Sequence, residues 1–284
     1  IYPKPKGVKR IMVLGDSFTM GAGLSEEERY TNILKSLIDK NNPNNNIEVV
    51  NCGIGGISTI KEREIAVRLK DTIDPDLIII GFCINDVQNN SESYSLELER
   101  FNKKWGEMLM TIRKSFSSIR LNYIGDAIVN AIYKTQRING NIPTVHKSLK
   151  RGFDKSSIDW QNFVSALKDI KSISDSMKLP RPVLAILASA SQINIENSRD
   201  DPENVIEKIS WLNQVELTSK EIGYQTINYI NIIDEEIKSG NLTNPNSLTI
   251  NYLDGHPSAK LNVIYAKELY NKIAKKIIKI SSDL

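Results

Sequence analysis

Histidine and cysteine are scarce, with two of each in 284 residues. Two cysteines build no disulfide framework, and no Cys/His array has metal-ligand spacing. The same scarcity limits any imidazole base to His146 or His256. Long apolar runs are missing too. None approaches the ~20 residues that span a bilayer, so no membrane span is expected. Nor is charge of one sign in excess: 37 basic residues face 34 acidic ones, a formal net charge of +3. That balance gives no reason to expect nucleic acid or an anionic membrane as a partner. The densest basic stretch, His146 to Lys155, reads as a solvated face. The chain opens at Ile1 and not at methionine, so a leader or anchor upstream, and with it an extracytoplasmic location, stays open.

What is present is an ordinary globular composition, 40% hydrophobic and 25% charged. The length suits one α/β domain over residues 1–284 with a sizeable insertion. Apolar runs alternate with amphipathic stretches, the pattern of a parallel sheet covered on both faces. Strands are expected at Arg10–Leu14, Ile47–Val50, Leu77–Ile80, Val183–Leu187 and Thr226–Ile230. Helices are expected at Ser25–Lys40, where three glutamates suit the first turn, at Thr59–Thr72, Pro202–Ile222 and Pro257–Ile280. Residues 87–181 are too long for a βα connection. They carry three helical periodicities, through Trp105, Leu109 and Ile112, through Ile124, Ile128 and Ile132, and through Trp160, Phe163 and Leu167. This reads as a helical insertion on the rim of the sheet.

Four short signals fall after strands or before the last helix. Loops that follow parallel strands open on one edge, where ligands bind. Gly15-Asp16-Ser17-Phe18 follows strand one and exposes a serine hydroxyl on a tight turn. Asn51-Cys52-Gly53-Ile54-Gly55-Gly56 follows strand two. Its spacing fails as a dinucleotide fingerprint, because Ser58 stands where the third glycine belongs. Gly81-Phe82-Cys83-Ile84-Asn85-Asp86 follows strand three. Asp254-Gly255-His256-Pro257 precedes the last helix and has the composition of an oriented base. His146 has no adjacent acid in the sequence.

In this order the four signals resemble the SGNH/GDSL hydrolase family. Ser17 matches its nucleophile, Gly56 its glycine, Asn85 its asparagine and His256 its histidine. The resemblance covers about Lys9 to Asn90 and Pro182 to the C-terminus. It implies an α/β/α sandwich with a flavodoxin-like five-stranded parallel sheet in the order 2-1-3-4-5. Strand one would then separate Cys52 from Cys83, which argues against a disulfide between them. Two positions depart from the family pattern. Phe18 stands where leucine is usual, and one residue, not two, separates Asp254 from His256, with Leu253 at the usual acid position. Either Asp254 or a backbone carbonyl would then orient the imidazole.

The resemblance implies acyl transfer through an acyl-enzyme. His256 takes the Ser17 proton, and Ser17, Gly56 and Asn85 supply the oxyanion donors. No metal or organic cofactor is required. The substrate would be a small-molecule or carbohydrate ester, with short-chain or O-acetyl groups the leading class. An acyltransferase to a carbohydrate acceptor, a binding module that has lost turnover, and a flavin- or nucleotide-binding protein are the alternatives.

Overall fold

The computed structural model describes residues 3–43, 46–88, 105–116, 121–138, 145–189, 202–240, 245–250 and 255–282. Its strands are β1 (Lys9–Gly15), β2 (Ile47–Asn51), β3 (Leu77–Phe82), β4 (Val183–Ile186) and β5 (Gln225–Asn228). They form one sheet in the order β2-β1-β3-β4-β5, parallel at every pairing, as expected. Every residue of β3 and β4 is buried. Burial on both faces is why these strands read as continuous apolar runs and not as alternating ones.

The helices are α1 (Ser17–Met20), α2 (Tyr30–Asn41), α3 (Thr59–Ile73), α4 (105–116), α5 (Asn122–Ile138), α6 (Val145–Gly152), α7 (Ile158–Ser176), α8 (Pro202–Ile222), α9 (Tyr229–Lys238) and α10 (Ala259–Ser282). α2 packs on α10 and α3 on α7, giving the helical layers of an α/β/α sandwich. One core joins the strands to Leu34 and Ile38 of α2, Ile65 of α3, Phe163 and Leu167 of α7, and Leu261 and Tyr265 of α10. Burying each such side chain is worth about 1.5–3 kcal/mol against leaving it in water. α4 and α5 share a smaller cluster around Leu109 and Val129. Among the described residues no helix is long and apolar enough to cross a membrane.

Five local differences from the sequence reading have physical causes. The helix expected from Ser25 is broken. Glu26–Glu28 form a 3-10 turn, and α2 starts only at Tyr30 because Arg29 is extended (φ −72, ψ 136). β5 stops at Asn228, whose side chain accepts from the Ile230 N–H at 3.1 Å and so caps α9. The last helix starts at Ala259, since Pro257 bridges to Thr249. Within the segment 87–181, α7 serves as the crossover helix, with Phe163, Leu167 and Ile170 in the main core. His146 does have an acid, contributed by α8. Its Nε2 lies 2.7 Å from Glu207 Oε2, and Lys150 Nζ lies 2.8 Å from Glu207 Oε1. Cys52 and Cys83 are buried free thiols at the ends of β2 and β3, with β1 between them.

Candidate active site

Ser17 begins α1, which lies close over the sheet edge because two glycines make room for it. Gly15 and Gly81 are register partners on β1 and β3. A Cβ would come within 2.1 Å of Thr19 Oγ1 from Gly15 and within 2.3 Å of it from Gly81. Thr19 occupies that space, its hydroxyl 2.9 Å from the Tyr30 hydroxyl. Asp16 caps the helix, its Oδ1 accepting from the Phe18 N–H at 2.9 Å. Asn51 ties β2 to the far end of α1 by donating to the Thr19 carbonyl at 2.7 Å.

His256 arrives from the other end of the chain. The Ile250 N–H donates to its carbonyl at 2.9 Å, and Pro257 bridges Thr249. Asn262 then locks the start of α10 to the start of α2. Its Oδ1 accepts from the Tyr30 N–H at 2.9 Å, and its amide donates to the Ser258 carbonyl at 3.0 Å. The result is His256 Nε2 at 2.9 Å from Ser17 Oγ, across 239 positions of sequence. Phe18 packs on the imidazole with ring centroids 5.6 Å apart, so the phenylalanine at the leucine position still supplies an apolar contact. Asp254 lies outside the described residues.

Asn85 sits in a 3-10 turn, Ile84–Val87. Asp86 closes that turn, its Oδ2 accepting from the Cys83 N–H at 2.6 Å. The Asn85 amide donates to Asp16 Oδ2 at 3.2 Å, and the Ser17 hydroxyl lies 3.3 Å from the same oxygen. Asp16 therefore joins Ser17 to Asn85, which sequence reasoning did not find. Gly56 is in the left-handed region (φ +75) with nothing within 4 Å of a would-be Cβ, so the backbone angle, not space, calls for glycine. The preceding Gly55 faces Ser17, where a Cβ would lie 3.9 Å from the serine Cβ.

Three buried carboxyls lie beneath this surface, and only Asp16 reaches it. Burial pushes the Asp16 carboxyl above its ordinary range. The N–H of Phe18, the Asn85 amide, the Ser17 hydroxyl and the attraction of His256 oppose that rise. Burial, and then repulsion from Asp16, push Glu62 of α3 well above its usual range. Asp86 rises likewise, with Asp16 and Glu62 both repelling its charge. Neither Glu62 oxygen has a protein partner at hydrogen-bonding distance, and the nearby Thr59 hydroxyl only partly opposes the rise. A serine hydroxyl against an imidazole nitrogen, with the Asn85 amide joined to it through Asp16, has the composition for acyl transfer.

The family model of the GDSL-like lipase/acylhydrolase family matches residues 13–162, a little over half of the chain. The chain belongs to that family. A GDSL-like acylhydrolase is an ester hydrolase, and the sheet order and helical layers above are those of the resemblance. No curated protein matches the chain in sequence. Solved structures share the fold at low identity. An acetyl xylan esterase, AlAXEase, is 12% identical with a TM-score of 0.52, covering 93% of this chain and 99% of its own. An acetylxylan esterase from Geobacillus stearothermophilus is 14% identical with a TM-score of 0.52, covering 96% of each chain. An α/β hydrolase enzyme from the metagenome of Lake Arreo, Spain, is 12% identical with a TM-score of 0.54, covering 96% of this chain and 97% of its own.

Proposed function

We propose that this acylhydrolase cleaves short acyl esters, O-acetyl groups on carbohydrates foremost, through an acyl-enzyme on Ser17. The observation that carries the reading is the 2.9 Å approach of His256 Nε2 to Ser17 Oγ. His256 takes the hydroxyl proton as Ser17 Oγ attacks the ester carbonyl. The Ser17 and Gly56 N–H groups and the Asn85 amide hold the oxyanion. Collapse breaks the bond to the alcohol, which leaves with the proton from His256. Water, deprotonated by His256, then attacks the acyl-enzyme and releases the acid with Ser17 restored. Asp254 or a backbone carbonyl orients the imidazole in this reading. The acetyl-ester preference draws support from the fold neighbours whose names describe acetyl xylan esterases.

The test is direct. A fluorophosphonate probe should label the wild type once, and Ser17→Ala should abolish both labelling and hydrolysis of 4-nitrophenyl acetate. Undiminished turnover in Ser17→Ala would end this reading.

A further inference from the structure

A groove beside α1 takes no part in these steps. It holds about 520 Å³ between the Glu26–Glu28 turn, α2 and the edge strand β2, and its polar lining is Glu26, Arg29, Asn32, Lys35, Glu48 and Asn51. Met20 forms its near wall and connects it to the serine. A Cβ on Gly55 would lie 3.9 Å from Ser17 Cβ and 3.4 Å from Met20 Cε, so the surface runs from Ser17 over Gly55 and Met20 into the groove. Arg29 approaches from the other side. The Gly21 N–H donates to the Ser17 carbonyl at 3.0 Å, and a Cβ on Gly21 would meet Arg29 Cγ at 2.4 Å. The arginine stem thus crosses the end of α1, one helical turn (about 5.4 Å) along from Ser17.

The charges in the groove are not equally committed. Lys35 holds Asp39 at 2.5 Å, and Glu48 holds Arg10 at 2.6 Å. Arg29 has no carboxylate at ion-pair distance among the described residues; it acts on Glu27 only at longer range. Its Nε is sealed from solvent and meets no protein acceptor. A ligand in the groove does not reach that sealed Nε, so a carboxylate would be gripped end-on by the two terminal Nη groups, whose planar fork matches it with two parallel hydrogen bonds. Glu26 and Asn32 stand beside it with an acceptor and an amide of the kind that bind hydroxyls.

We infer that this groove is the subsite for the alcohol half of the ester, and that it selects a sugar bearing a carboxylate, which Arg29 grips. The inference rests on the esterase reading above and adds a substrate class to it. The hydroxyls meet Glu26 and Asn32, and the acyl carbonyl reaches back past Met20 to Ser17.

The experiment compares acetate release from a mono-O-acetylated methyl glucuronide and the matching glucoside, with 4-nitrophenyl acetate as a substrate whose alcohol half offers Arg29 no carboxylate. The wild type should favour the glucuronide by about tenfold or more in kcat/KM, carried mainly by KM. Arg29→Gln should bring that ratio close to one. Arg29→Met, which keeps the stem over Gly21, should do the same if Arg29→Gln folds poorly. A second arm needs no turnover: calorimetric titration of Ser17→Ala with glucuronate and with glucose should show tighter binding of the acid, lost in Ser17→Ala/Arg29→Met. Equal kcat/KM for the two sugars, or equal binding of glucuronate and glucose, overturns the inference even while 4-nitrophenyl acetate is cleaved. If the wild type cleaves no ester at all, the esterase reading fails, and the calorimetric arm still decides the groove.

Discussion

Asp16→Asn replaces one carboxylate oxygen by an amide nitrogen at the point where Ser17 and Asn85 meet. Asp16 Oδ1 accepts from the Phe18 N–H at 2.9 Å, while Oδ2 faces the Asn85 amide at 3.2 Å and the Ser17 hydroxyl at 3.3 Å. Asparagine has one acceptor oxygen, so one of these sides must become donor against donor. The backbone contact is shorter and buried, so the oxygen should stay with Phe18 and the new N–H₂ should face Asn85. An unmatched buried donor costs about 1–3 kcal/mol. If that falls on the transition state, at about 1.4 kcal/mol per factor of ten, kcat drops by about 5-fold to 150-fold. Full displacement of the Asn85 amide extends the loss toward 10²–10³. Steady-state hydrolysis of 4-nitrophenyl acetate, with thermal unfolding in parallel, separates the catalytic loss from any loss of fold. Wild-type kcat in a folded Asp16→Asn protein would refute the idea that Asp16 positions Asn85.

Asn85→Ala should lower kcat by about 10²–10³ with little change in KM, as loss of a transition-state donor does; a raised KM at constant kcat would make Asn85 a ground-state contact instead. Asp254→Asn should cost on the order of 10⁴ in kcat if that acid orients His256, whereas a mild loss beside a crippled His256→Ala would assign the role to a backbone carbonyl. Glu62→Gln should stabilise the fold, increasingly so as pH rises. Glu62 has a raised folded pKa, so its neutral form stabilises below the unfolded value of about 4.3, and that contribution is lost as pH climbs through the folded value. The melting temperatures of wild type and variant should agree near pH 4 and separate by a few degrees at pH 8; a pH-independent difference would mean that Glu62 titrates alike in the folded and unfolded chain, refuting its raised folded pKa.

The strands and the loops that carry Ser17 and His256 were legible in the amino-acid sequence because each depends on local information, whereas the strand order and the choice of Gly56 and Asn85 came from the family resemblance. A strand buried on both faces must be continuously apolar, as Leu77–Phe82 is, and loops after parallel strands must share one edge. Helix boundaries were less legible where a cap competed with the periodicity. Ser25 and Glu28 do cap, but they cap a 3-10 turn, and Asn228 ends a strand that its apolar neighbours would have prolonged. Tertiary structure alone decided the rest. That Asp16 would meet Asn85, 69 positions away, that Glu62 would be buried among carboxylates, and that Arg29 would leave its helix to lie over Gly21 follow from packing between distant segments. No local pattern encodes such contacts. Whether a polar side chain is solvated, paired or buried alone depends on which surfaces close over it when the sheet and its two helical layers come together.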